Sequence, residues 1–223
     1  MNIQTIQGLR SGDSVAFYLG SCLASGRTHC LTALSTTAWG RAIRFSTIDF
    51  FNRENEMRAL FLDFDGVAHP VSAIAGWQSM NLGGSGIERL IEERDLFRWL
   101  PILSQALESH PDVLLVVHSG WRGIADNTCM QAILGRLSDR FIGVTDLQLR
   151  RHDGIEFFAR RAQMDHYLVI DDAIREFPPG FKYLLATDPQ LGLSQASVQR
   201  ALAEWLLKTS PSKQTDLTAE LML

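Results

Sequence analysis

The chain of 223 residues has room for one domain with an appendage and not for two full enzymes. With 46% hydrophobic and 21% charged residues it has the composition of a protein that packs a core, which excludes disordered and fibrous classes. The net charge of −4 combines +1 in residues 1–56 with −5 in residues 57–223, where 21 acidic side chains face 16 basic ones, so no basic field for nucleic acid extends over the chain.

Residues 1–56 show neither a helical nor a strand period, and no acid/base pair or ligand set converges there. Within them Val15–Ala24 is too short to span a bilayer and is broken by Gly20 and Ser21. Arg10 and Asp13 do not suit a signal peptide, which predicts a protein without membrane association. Cys22, Cys30 and Cys129 have no paired spacing, so a disulfide framework and a zinc knuckle are both disfavoured and a reducing cytoplasm is expected. Two readings of this segment stand side by side. One is a poorly ordered extension ahead of a start at Met57; the other is a small accessory element.

From Met57 onward, short apolar runs alternate with helical stretches. Strands are predicted at Ala59–Leu62, Val113–Val117, Phe141–Val144, Tyr167–Ile170 and Tyr183–Ala186. Helices are predicted at Pro101–Ser109, with proline in the permitted first turn, at Ile124–Leu137, at Gly154–Gln163 and at Ser194–Leu207, the last opened by a serine cap. This alternation predicts an α/β fold, a doubly wound parallel five-stranded sheet with right-handed crossovers, over residues 57–208. Residues 209–223 are expected to form a loose tail.

In open sheets of this kind, functional groups gather beyond the carboxyl ends of the strands. The first strand ends in Asp63-Phe64-Asp65-Gly66. Two carboxylates at i and i+2 before a turn-permitting glycine can offer one side chain and one backbone carbonyl to a hard cation while the second side chain faces a substrate. The second strand ends in His118-Ser119-Gly120-Trp121-Arg122, where a hydroxyl, consecutive N–H groups and a guanidinium suit an anion. A capping serine with a solvated arginine is the simpler reading of the same residues. The fourth strand ends in Asp171-Asp172, adjacent carboxylates whose repulsion and desolvation call for a cation. Arg150-Arg151 precede the third predicted helix, and either could balance negative charge, Arg151 being favoured for its place nearer the helix. His69, His118 and His152 have no spacing that implies zinc or a triad and are read as incidental or flap residues.

The ordered set Asp63-x-Asp65-Gly-Val, Ser119, Arg150 or Arg151, and Asp171-Asp172 resembles the four motifs of the haloacid dehalogenase (HAD) superfamily. The segments DFDGVAHP, HSGWR, VIDDAIREFP and TDPQLGL are most similar to the HAD domains grouped with Swiss Army Knife RNA-repair proteins. Two positions depart from that pattern: the third-motif lysine is arginine here, and Gly120 stands where serine is common. The resemblance implies a HAD-like Rossmannoid fold and a phosphatase in which Asp63 is the nucleophile and Asp65 the general acid/base. It further implies Mg²⁺ held by Asp63, the backbone carbonyl of Asp65, Asp171 and Asp172, with Ser119 and Arg151 on the phosphoryl group.

Between Asp63 and Ser119 lie 55 residues, and between Ser119 and Arg151 only 31, which leaves space for a minimal cap or none. An open site suits a phosphorylated RNA or DNA end, or another macromolecular phosphate, with Gly120, Arg122 and Arg150 as further phosphate-binding candidates. A small-metabolite phosphatase and a catalytically idle scaffold are the alternatives. A receiver domain does not fit, because its acidic pair belongs at the first strand. The oligomeric state has no signature in the sequence.

Overall fold

The computed structural model describes residues 56–76 and 84–211, together with two-residue strands at Phe17–Tyr18 and Thr32–Ala33. The chain divides into two compact units, Met1–Asn55 and Glu56–Leu223. In the first, the two short strands pair antiparallel, Phe17 opposite Ala33. The expectations for the rest of residues 1–55, and for the tail beyond Pro211, fall outside the described residues.

The second unit is built on strands β1 (Arg58–Leu62), β2 (Val113–Val117), β3 (Phe141–Val144), β4 (His166–Asp171) and β5 (Leu184–Ala186). All pair in parallel, in the order β3-β2-β1-β4-β5. Every residue of β1 is buried, which is why its apolar run shows no alternation. Its side chains nevertheless divide between two core layers: Leu60 and Leu62 face one side, Ala59 and Phe61 the other. Helices α1 (Gly84–Glu93), α2 (Leu100–Ala106), α3 (Asn127–Leu134) and α5 (Ala196–Lys208) cover the Leu60 face through Leu90, Leu103, Met130 and Leu202. Helix α4 (Arg151–Arg161) covers the Phe61 face with Ile155 and Ala159. This is the doubly wound α/β sheet of a HAD-like Rossmannoid fold. The crossover helices α1 and α2 pack into the core layer beside the sheet.

Several boundaries differ from those expected. Helix α1 was not anticipated; its first turn contains Gly84 and Gly86, which hide its start. Helix α3 begins at Asn127 rather than Ile124, because Asp126 caps it by accepting the Cys129 N–H at 2.8 Å, and Gly135 ends it at φ +54°. Helix α4 opens three residues before Gly154, directly after the extended Arg150. Ser194 does not cap α5. Its hydroxyl donates to the Leu191 carbonyl at 2.5 Å within a 3-10 turn, and Gln195 occupies the capping position without a side-chain bond. At the base of β1 the buried Arg58 guanidinium donates to Asp112 at 2.8 Å, to the Leu206 carbonyl at 2.8 Å and to Thr209 at 3.0 Å, tying the end of α5 to the central strand. Among the described residues no helix is long and apolar enough to cross a membrane.

Candidate active site

The register of the three central strands assembles the site. Leu62 lies opposite Val117 on one side and Ile170 on the other, so the residues that follow, Asp63, His118 and Asp171, emerge side by side. The His118 N–H donates to the Leu62 carbonyl and the Asp63 N–H to the Ile170 carbonyl, both at 3.1 Å, extending the ladders one step beyond the strands. Single residues remote in sequence thereby become neighbours at the carboxyl edge.

Asp63, Asp171 and Asp172 each bring a carboxylate oxygen within 4.8 Å of the others. Asp63 Oδ1 accepts the Phe64 N–H at 2.8 Å, and Asp171 Oδ1 accepts the Ala173 N–H at 2.7 Å. Arg151 Nη1 donates at 2.5 Å both to Asp63 Oδ2 and to Asp171 Oδ2. His118 Nε2 sits 2.7 Å from the same Asp171 oxygen. Burial opposes ionisation of Asp171, but His118 and Arg151 outweigh it and hold the carboxyl below its usual range. Burial likewise opposes the charge on Arg151, and the two aspartates more than reverse that effect. Asp172 lacks such partners. Burial, with Asp63 and Asp171 beside it, pushes its carboxyl up to about 6. Three crowded carboxylates, two of them bonded by one guanidinium, form a hard-oxygen set with negative charge in excess, which fits a divalent cation such as Mg²⁺. The Asp65 carboxylate is outside that trio.

The Asp63–Pro70 loop is clamped from several elements. Gly66, at φ +72°, brings its Cα so close to Asp172 that a Cβ would lie 2.5 Å from the carboxylate carbon, so any side chain there would displace Asp172. The Thr187 hydroxyl donates to the Gly66 carbonyl at 2.8 Å, Leu193 N–H to Val67 and Trp99 N–H to Ala68, both at 3.0 Å. The Asp65 Oδ1 oxygen accepts from Trp121 Nε1 at 2.8 Å and lies 3.1 Å from His69 Nε2.

The remaining candidates are placed as follows. Ser119 is buried, and its hydroxyl oxygen accepts the Trp121 N–H at 3.4 Å. Gly120 opens the turn Gly120–Gly123, and a Cβ on it would meet open space, so serine at this position would fit without displacing anything. Arg122 is turned back on the chain: Nη1 donates to the carbonyls of His118 and Ser119, the latter at 2.6 Å, while burial and the nearby Arg151 lower the basicity of the group. Arg150 is exposed at the entrance of α4. His152 packs its ring edge-on against Phe181, 4.9 Å between centroids.

Sequence reasoning passed over His69, His118 and Trp121 as site residues. The available signal for His118 was its place immediately after the apolar run of β2, the position at which strand-end chemistry is expected.

The family model for the HAD domain in Swiss Army Knife RNA repair proteins matches residues 59–198, a span that contains all of these residues. Comparison with curated proteins and with solved structures gives no match. The sheet, the strand-end carboxylates and the family match agree, and the chain belongs to the family of HAD domains found in Swiss Army Knife RNA repair proteins, a phosphatase-type hydrolase family.

Proposed function

We propose that the protein is a Mg²⁺-dependent phosphomonoesterase working through an aspartyl-phosphate on Asp63. The observation that carries this reading is the meeting of Asp63, Asp171 and Asp172 within 4.8 Å, the first two bridged by Arg151. Phosphoryl transfer requires mainly alignment and charge neutralisation. When bound, Mg²⁺ supplies compensation for the negative charge of the phosphate and the carboxylates. An oxygen of Asp63 attacks phosphorus, the ester P–O bond breaks, and the leaving oxygen takes a proton from Asp65. In the second half, Asp65 removes a proton from water as the water oxygen bonds to phosphorus and the P–O bond to Asp63 breaks, releasing inorganic phosphate. Arg151, which uses Nη1 on Asp63 and Asp171, has further N–H donors for phosphoryl oxygens, and Ser119 lies at the adjacent strand end. Arg122 holds the backbone of that turn, and Gly120 gives room beside it.

The substrate class favoured is a phosphorylated nucleic-acid end or another macromolecular phosphate. Support comes from the RNA-repair setting of the family. The test is phosphate release from an aryl phosphate, from 5′- and 3′-phosphorylated oligonucleotides and from sugar phosphates, each with Mg²⁺ and with EDTA. Release that depends on Mg²⁺ and favours oligonucleotides is expected. Undiminished activity in EDTA would exclude the metal, and a strong preference for sugar phosphates would exclude the macromolecular substrate.

A further inference from the structure

We propose that His69 and Trp121 are positioning residues which fix the orientation of Asp65, making Oδ2 the oxygen that carries and accepts the proton. This rests on the reading of Asp65 as general acid/base and adds to it two residues and one atom. Both ring N–H groups converge on Oδ1, Trp121 Nε1 at 2.8 Å and His69 Nε2 at 3.1 Å. The histidine tautomer follows from its other nitrogen. The Phe97 N–H points at His69 Nδ1, 3.3 Å away, so Nδ1 accepts and Nε2 bears the hydrogen that is directed at Asp65.

An oxygen that accepts two N–H bonds is the unprotonated oxygen of a carboxylic acid, so the acid hydrogen resides on Oδ2. During attack by Asp63 that hydrogen passes to the leaving oxygen as the ester bond breaks, and the carboxylate left behind retains both N–H bonds on Oδ1. Oδ2 then receives the proton of the attacking water.

The donors cannot swing away. His69 is fully buried and Trp121 nearly so, and both rings pack edge-on against Phe97, with centroids 5.0 and 4.9 Å away. Phe64 closes the same cluster at 5.0 Å from Phe97. Phe97 itself has φ +62°, a left-handed conformation that bulky residues rarely adopt. The fold tolerates that strain at the residue whose N–H orients His69. Asp65 keeps 28% of its side-chain surface exposed, so the carboxyl is pinned from its buried side and still reachable from solvent.

The distinguishing readout is leaving-group dependence. The parameter kcat/KM reports steps through phosphorylation of Asp63, where a good leaving group needs no proton and an alkoxide does. The full chain with Mg²⁺ is assayed on dinitrophenyl phosphate and on a 5′-phosphorylated oligonucleotide. In Trp121→Phe, which keeps a ring but loses the N–H, and in His69→Asn, which no longer reaches Asp65, kcat/KM on the oligonucleotide should fall about tenfold or more. On dinitrophenyl phosphate it should change by less than about threefold. His69→Gln, whose amide can replace the Nε2–H donor, should recover most of the loss.

Equal losses on both substrates, or none on either, overturn the proposal. Inactivity of the wild type, or full activity of Asp63→Asn, overturns the underlying reading and this proposal with it. Should the histidine variants not fold, the indole N–H resonance of Trp121 in the wild type serves in their place. It should shift upfield in Asp65→Ala, and an unmoved resonance contradicts the proposal.

Discussion

His118 Nε2 and Asp171 Oδ2 lie 2.7 Å apart, and neither side chain reaches solvent. The pair joins the ends of β2 and β4 across β1, and together with Arg151 it keeps Asp171 ionised in a buried place. Hydrogen bonds to charged groups contribute about 1.5–3 kcal/mol each, so His118→Ala should lower the unfolding free energy by at least that amount near neutral pH. Because the Asp171 carboxyl is depressed in the folded state, the stability it contributes is present above its unfolded value near 3.8 and is lost as pH falls below it. The gap between His118→Ala and the wild type should therefore narrow below about pH 4 in urea unfolding. A gap independent of pH would assign the loss to packing alone.

Asp172 behaves in the opposite sense. Its folded-state carboxyl is raised from 3.8 to about 6, so between those values the folded protein binds more protons than the unfolded chain. Stability of the metal-free protein should fall as pH rises through this window, and Asp172→Asn should flatten the fall. Bound Mg²⁺ requires the ionised carboxylates, so the rise in Tm on adding Mg²⁺ should be greatest above about pH 6 and small below about 5. Thermal melts of both proteins across pH, with and without Mg²⁺, check the two statements together.

Arg150 and Arg151 should separate cleanly. Arg151 makes two charge-assisted bonds to the carboxylates, whereas Arg150 is exposed. Arg151→Ala should reduce kcat/KM by about a hundredfold or more, with Arg151→Lys intermediate because an ammonium lacks the planar fork. Arg150→Ala should stay within about threefold of wild type. Steady-state kinetics on one phosphorylated oligonucleotide decides the order.

The sheet was legible in the sequence because β1, β2 and β4 are buried on both faces and therefore read as unbroken apolar runs ending in polar clusters. Strand β3 read more weakly, and a register irregularity between Leu115 and Val116 interrupts its pairing with β2. Helix starts were poorly legible where a 3-10 turn takes the residues before the helix, as at Gly120–Gly123 and Gly192–Ser194. The strand-end aspartates were visible as DFDG and DD. The histidines were not, since His118 meets Asp171 only through strand register, 53 positions apart, and His69 meets Asp65 only because the loop turns back on itself. Trp121 is a buried core residue whose indole N–H reaches Asp65, a contact that nothing in the HSGWR segment announces.

The central claim, that Asp63 becomes phosphorylated, is tested most directly by trapping. The Asp65→Asn protein, given dinitrophenyl phosphate and Mg²⁺ and quenched in acid, should carry a phosphoryl group on the peptide containing Asp63. Attack needs no proton donor with that leaving group, while hydrolysis of the intermediate needs Asp65. Mass spectrometry locates the group, and the Asp63→Asn protein should show neither adduct nor turnover. An unmodified Asp63 peptide alongside near-normal turnover by Asp63→Asn would contradict the account.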